Sequence, residues 1–132
     1  MKIIDGEDCI LGRIASYCAK DLLKGEEIVI LNCDKIVISG KRKVVEAGFL
    51  EKRRRKGSSQ KTPIYSKENY KLVKRTIRGM IPNYRTGRGK EALKKIRCYN
   101  GVPKEFEKSD KIKIFADKKI KSLSLKELTK NY

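Results

Sequence analysis

Between Arg75 and Leu93 the chain reads RTIRGMIPNYRTGRGKEAL. Arg75, Arg78, Arg85 and Arg88 bring planar, permanently charged forks that match phosphate oxygens two at a time. Gly79, Gly87 and Gly89 stand among them, and a glycine lets a backbone come close to a phosphate with no side chain in the way. Arginine interleaved with glycine is the chemistry of holding a polyanion by its phosphates. Two kinds of site use it: the phosphate loop of an enzyme, and a surface laid on nucleic acid. Taken singly, each glycine also has a purely structural reading, Gly79 as a close helix contact and Gly87 as a turn.

The enzyme reading fails its tests. A Walker loop needs G-x-x-x-x-G-K followed by Ser or Thr, whose hydroxyl holds magnesium. Here Glu91 follows Lys90, and Tyr84 occupies the position of the first glycine. No G-x-G-x-x-G opens the first helix, and no G-x-S-x-G presents a nucleophile. The chain has no histidine, the commonest general base. Its cysteines, Cys9, Cys18, Cys33 and Cys98, form no C-x-x-C pair, so both common zinc spacings are missing. They read as small buried apolar residues. No cofactor, metal or small-molecule substrate is expected.

Charge supports the nucleic-acid reading. The formal net charge is +18, from 34 Lys+Arg against 16 Asp+Glu. Residues 1–40 hold 5 basic and 7 acidic side chains, residues 41–97 hold 20 and 4, and residues 98–132 hold 9 and 5. The excess therefore lies in the middle of the chain, where it needs an external polyanion to offset its self-repulsion. No apolar run is long enough to cross a bilayer and no charged-then-apolar leader is read at Met1, so the expected compartment is the cytosol.

The elements that must position these cations follow from hydrophobic period. Lys2–Asp5 reads as an edge or first strand. Ile10, Ile14, Cys18 and Leu22, widened by Leu11, Ala15 and Ala19, make a helical stripe that closes at Gly25. Glu27–Leu31 and Ile36–Ser39 are continuous apolar runs, the pattern of strands covered on both faces. A strand, a helix and further apolar strands argue for an α/β sheet with helices packed on it. Lys41–Gly57 is helical in part and ends in the block Arg53-Arg54-Arg55-Lys56, before a loop through Gly57–Tyr65. Ser66 is the expected N-cap of the next helix, with Glu68 in its first turn. That helix places Tyr70, Val73, Ile77, Met80 and Ile81 on one side and Lys71, Lys74, Arg75 and Arg78 on another, and Pro82 ends it. A short helix burying Ala92, Leu93 and Ile96, a strand in RCYNGVP, an alternating strand over Lys111–Phe115 and a final helix with capping-box spacing over Ser124–Glu127 complete the reading.

The all-cationic face of the 66–81 helix suits backbone positioning, not base reading, which mixes Asn, Gln and Arg. No aromatic-studded strand of the RNP type appears. Basic loops and helix faces spread over 57 residues suit a large, shaped RNA best. A free-standing RNA or DNA architectural protein and a small nucleotide-binding enzyme stay open as alternatives.

The segments ILGRIASYCAKDLLKGEEIVILNCDKIVISGKRK and RTIRGMIPNYRTGRGKEALKKIRCYNGVPKEF resemble the L-thirteen family of large-subunit ribosomal proteins, in its archaeal or eukaryotic form, over residues 2 to about 106. The most specific parts are LGRIAS, NCDKIVISGK and RGMIP. The resemblance implies a three-layer α/β/α fold with a four-stranded, mainly parallel sheet. It also implies a structural role on ribosomal RNA without catalysis, beside neighbouring large-subunit proteins and away from membranes. Carried over residue by residue, it places Arg13, Lys41, Arg42, Lys43 and the Arg78-Gly79-Met80 run at the RNA, and a second basic stretch at Arg53 to Lys61 is kept in reduced form. With the cations read from charge and helix faces, the expected contacts are Arg13, Lys41, Arg42, Lys43, Arg53, Arg54, Arg55, Lys56, Lys71, Lys74, Arg75, Arg78, Gly79, Arg85, Arg88 and Lys90. This chain departs from the family in having six residues between Pro82 and Gly89 and a cysteine at position 98, and the stretch after Phe106 does not align. The expected organisation is one RNA-binding domain over residues 1–132, with a basic middle segment 41–97 and a C-terminal part 107–132.

Overall fold

The computed structural model describes residues 1–55, 64–114 and 121–130. Lys56, Lys61, the rest of the 57–63 loop and Phe115 lie outside the described residues.

Four strands form one parallel sheet in the order β4-β2-β1-β5: β1 (Lys2–Asp5), β2 (Ile28–Leu31), β4 (Ile96–Cys98) and β5 (Ile112–Lys113). β1 is thus an interior strand and not an edge. It pairs with β2 from Lys2↔Ile28 to Asp5↔Leu31 and with β5 at Ile4↔Ile112. Because strand side chains alternate, the two faces separate cleanly. Ile4, Ile28, Ile30 and Ile96 point into the main core, while Ile3, Val29 and Leu31 join Phe106 on the other side.

Helices cover both faces unequally. On the main face, α1 (Leu11–Leu23) buries Ile14, Ala15, Cys18, Ala19 and Leu22, the expected stripe, and packs against α3 (Asn69–Met80). The second face is covered by the short 3-10 helix Lys104–Phe106, with Tyr99 and Val102 beside it. The result is the three-layer α/β/α arrangement, with the sheet parallel throughout.

The second apolar run departs from expectation. β3 (Val37–Ser39) does not enter the main sheet; it pairs antiparallel with β6 (Ser122–Ser124). The cause is local. Asn32 adopts a left-handed conformation (φ 53°), and the 3-10 turn Cys33–Lys35 then redirects the chain after β2. Asn32 is held there because its Nδ2 donates to the buried Asp5 carboxylate at 2.8 Å. The C-terminal part closes the same core, since Ile114, Leu123, Leu125 and Leu128 are buried with the residues of α1 and α3. The last helix, α5 (Leu125–Lys130), is capped as its spacing suggested: the Glu127 amide donates to Ser124 Oγ at 3.3 Å.

The cysteines behave as core residues. Cys9, Cys18 and Cys33 are buried and Cys98 is half-buried, all as free thiols. Burial pushes the Cys18 thiol up to about 12 and also raises Cys9. The Cys33 thiol is raised by its hydrogen bond with Cys98 and then by burial.

Candidate nucleic-acid interface

Three helices carry the cationic segment. α2 (Arg42–Arg54) buries only Phe49, and Val44 is 67% exposed. α3 buries Leu72, Val73 and Ile77. α4 (Gly87–Lys94) buries Gly89 and Ala92, with Leu93 half-buried and Ile96 already on β4. Helices that bury so little present most of their circumference outward.

The N-terminus of α3 differs from the expected cap. The helix begins at Asn69 with Glu68 in the cap position, and Ser66 Oγ accepts the Glu68 amide at 3.1 Å, which closes a turn before the helix. Glu68 pairs with Lys71 at 2.9 Å, and its carboxyl is held below its usual range by hydrogen bonds from Tyr70 and Lys71. Met80, expected inward, is 42% exposed, because the helix ends there and Ile81 turns into the core instead.

The row Lys71, Lys74, Arg75, Arg78 is not uniformly outward. Both lysines are exposed, but both arginines are half-buried over tyrosine rings. The Arg75 guanidinium lies 4.5 Å from the Tyr65 ring centroid, and its Nη1 donates to the Ile64 carbonyl at 3.1 Å. Arg78 and Arg85 lie 5.1 Å and 5.6 Å from the Tyr84 ring. A hydrogen bond from Arg85 lowers the Tyr84 phenol below its ordinary value, and the charges of Arg85, Arg78 and Arg75 add to the effect. Tyr65 and Tyr84 escaped sequence reasoning. Both sit in loops, where no periodicity marks an aromatic, and the usable signal was their position within a few residues of arginine clusters.

Tyr65 joins two basic stretches that are far apart in sequence. Its ring meets Phe49 of α2 edge-on, with centroids 5.5 Å apart and planes at 70°, and Lys52 Nζ lies 6.0 Å from it. A cavity of about 370 Å³ opens here, between Lys52 and Arg55 of the α2 end and Arg75, Thr76 and Gly79 of α3. On the other side of Arg75 a second cavity of about 260 Å³ takes in Lys71, Lys74 and Arg78. A third, of about 570 Å³, gathers Lys41, Arg42 and Lys43 at the start of α2 with Lys121. Sequence reasoning had not connected Lys121 to that group; the Gly40 amide donates to its carbonyl at 2.8 Å.

Other expected residues stand apart from these grooves. Arg88 donates through Nε (3.1 Å) and Nη2 to the Leu23 carbonyl, tying α4 to the open carbonyl end of α1. Arg13 is exposed in the first turn of α1, about 15 Å along the axis from that end. Arg53 is half-buried over the Phe49 ring at 6.0 Å, with Nη1 buried and without a hydrogen-bond partner among the described residues. Arg54 and Lys90 are exposed.

The glycines divide. Gly87 sits at φ +59°, where a turn requires it, and a Cβ at Gly89 would strike the carbonyl oxygens of Pro82 and Asn83. Both therefore serve the fold. At Gly79 a Cβ would meet nothing within 4 Å, so close helix packing does not explain it.

Carboxylates do not neutralise this surface. Of the four acidic residues in 41–97, Glu46 pairs with Arg42, Glu51 with Arg55 and Glu68 with Lys71, all within one helical turn. Among the described residues, Lys41, Lys43, Lys74, Arg75, Arg78, Arg85 and Lys90 are in no ion pair. The described residues also contain no cluster of three or more metal-ligating side chains and no helix long and apolar enough to cross a membrane.

The model of the family described as Ribosomal protein L13 matches residues 1–105. A large ribosomal subunit protein uL13 of Methanosarcina barkeri is 44% identical over 125 residues, spanning 94% of this chain and 87% of the relative. One from Thermoplasma volcanium is 41% identical over 133 residues, spanning 98% and 96%. One from Methanopyrus kandleri is 40% identical over 108 residues, spanning 82% and 67%.

Proposed function

The chain belongs to the ribosomal protein L13 family, and from that premise we propose that it is a structural component of the large ribosomal subunit which scaffolds ribosomal RNA through phosphate contacts. It works as one RNA-binding domain in the cytoplasmic ribosome, beside other large-subunit proteins, and its role involves no catalysis. The basic segment 41–97 supplies the RNA surface, and Ile114, Leu123, Leu125 and Leu128 of the C-terminal part brace the core.

One observation carries this reading. The excess cations of α2 and α3 line shared grooves, and the nearby carboxylates are already engaged with Arg42, Arg55 and Lys71. Such a surface finds its counter-ions outside the protein. Cations held on tyrosine rings are pre-ordered, so less side-chain freedom is lost when phosphates arrive. Lys41, Lys43, Arg54, Lys74 and Lys90 are the free-standing phosphate contacts. Arg75, Arg78 and Arg85 are the positioned ones. Arg13 reaches the RNA from the far end of α1, and Arg88 contributes mainly by fixing α4.

Co-sedimentation with large subunits through a salt wash tests the assignment. With about ten phosphates neutralised, log affinity for large-subunit RNA should fall against log salt with a slope of roughly −7 to −9. A slope shallower than about −2 contradicts the phosphate-scaffold reading. Loss of the chain from washed subunits favours a free-standing architectural protein, and a stoichiometric nucleotide in the purified protein favours the small-enzyme alternative.

A further inference from the structure

The geometry points to the cavity between α2 and α3 as the seat of one unstacked RNA base, an inference that rests on the RNA-binding reading above and narrows it. Its wall is made by Lys52, Arg55, Tyr65, Arg75, Thr76 and Gly79. At about 370 Å³ it falls within the roughly 300–1,000 Å³ typical of small-ligand sites.

A phosphate alone needs only cations, and half of this wall is uncharged. The Arg75 guanidinium lies over the Tyr65 ring, 4.5 Å from its centroid, and both tyrosine rings and guanidinium planes are surfaces on which unpaired bases lie. The ring is not free to swing away, because Phe49 meets its edge and the Arg75 Nη1 bond to Ile64 holds the other partner. Lys52 and Arg55 stand at the α2 side, where the phosphate attached to a seated base would lie. Among the described residues the Arg55 side chain is held by an exposed one-turn pair with Glu51, an interaction that exchanges readily for a phosphate.

Gly79 supplies the independent observation. It is the penultimate residue of α3, is exposed, has no left-handed φ to accommodate, and a Cβ built on it meets nothing within 4 Å. Glycine weakens a helix relative to alanine, and here no internal packing demands it. Its missing side chain instead leaves the cavity wall open to whatever enters. The neighbouring cavity beyond Arg75 has no aromatic side chain among its described lining residues, so it takes RNA backbone only.

The test compares the full chain's affinity for a short single-stranded RNA with its affinity for the abasic strand of the same length, at one salt concentration. The base-bearing strand should bind about tenfold more tightly, the scale of one base–aromatic stack. Tyr65→Leu, which keeps an apolar contact with Phe49, and Gly79→Leu, which fills the cavity, should each bring the ratio of the two affinities within that variant to about one, with abasic binding still steeply salt-dependent. Equal affinity of the unaltered chain for both strands, or a Gly79→Leu variant that keeps the advantage, overturns the base seat. With abasic binding still steeply salt-dependent, the phosphate-scaffold reading survives that result. Binding of neither strand overturns both. Should Tyr65→Leu fail to fold, Gly79→Leu decides, because its new side chain starts in open space.

Discussion

Residues 1–40 and residues 41–97 handle charge in opposite ways. In the first region the charges close on one another: Lys2 Nζ lies 2.8 Å from the buried Asp21 carboxylate and 2.7 Å from Glu26, Lys24 also reaches Asp21, and Lys35 reaches Glu7 at 2.7 Å. In the second, arginines rest on tyrosine rings and carbonyl oxygens, and lysines stand in solvent. The burial contrast runs the same way. β2 is buried at every position, whereas the thirteen-residue α2 buries one side chain. The first region commits its charges to folding, whereas the second adds Leu72, Val73 and Ile77 to the core and keeps most of its cations for an outside polyanion. Substitutions should therefore separate stability from RNA affinity according to region.

The largest effect on folding belongs to the first region. Ile14 is fully buried in the main core, so Ile14→Ala should cost about 2–5 kcal/mol in urea unfolding. The salt slope of RNA binding by the fraction still folded should not change. A cost below about 1 kcal/mol would mean that the core lies elsewhere.

Asp21→Asn comes next, at about 1–3 kcal/mol, since a buried carboxylate bonded to Lys2 loses its charge. The bond from Lys2 holds the Asp21 carboxyl below its ordinary value of 3.8. A lowered folded-state value means stability that is present above 3.8 and disappears as pH falls through the folded value. The stability gap between wild type and Asp21→Asn should thus be flat near neutrality and close in acid. A gap that persisted through acid unfolding would assign the loss to packing.

Gly89→Ala transfers the same sensitivity into the cationic region. The added methyl collides with the carbonyls of Pro82 and Asn83, so the expected cost is about 1–3 kcal/mol. A neutral result in thermal melting would show that the Pro82–Thr86 turn yields freely.

How far these contrasts were visible beforehand depended on whether a signal was local. The α1 stripe and β2 were plain, because period and composition act within one turn or one strand. Ile36–Ser39 has the same apolar composition, yet its sheet was decided by Asn32 reaching Asp5, a contact across 27 positions. Arg88 looked like a phosphate ligand because its partner, the Leu23 carbonyl, lies 65 positions away. Likewise, the meeting of Phe49, Tyr65 and Arg75 joins an α2 residue, a loop residue and an α3 residue, and hydrophobic period says nothing of loops. The charge asymmetry between regions was fully legible, since it is a count.

Arg75→Ala with Arg78→Ala sharpens the comparison from the cationic side. Each loses one contact with a tyrosine ring, worth about 0.5–1 kcal/mol at an exposed site, so stability should fall by about 1–2 kcal/mol at most. RNA binding should weaken well beyond that, and the salt slope should become shallower by roughly 1.5–2 as two phosphate contacts disappear. Unchanged affinity would place the RNA surface away from α3.

The smallest effect has the opposite sign. Gly79→Ala adds a methyl to a helical position with nothing within 4 Å, so the free protein should gain up to about 0.5–1 kcal/mol. That gain should appear in the melting of the isolated chain and shrink or vanish in the RNA complex, because the space the methyl occupies is then contested. Gly79 and Gly89 lie ten positions apart in one basic segment, and alanine should stabilise at the first and destabilise at the second. If both lost stability alike, the cationic region would be packed as tightly as the core, and the division between a folding half and a binding half would not hold.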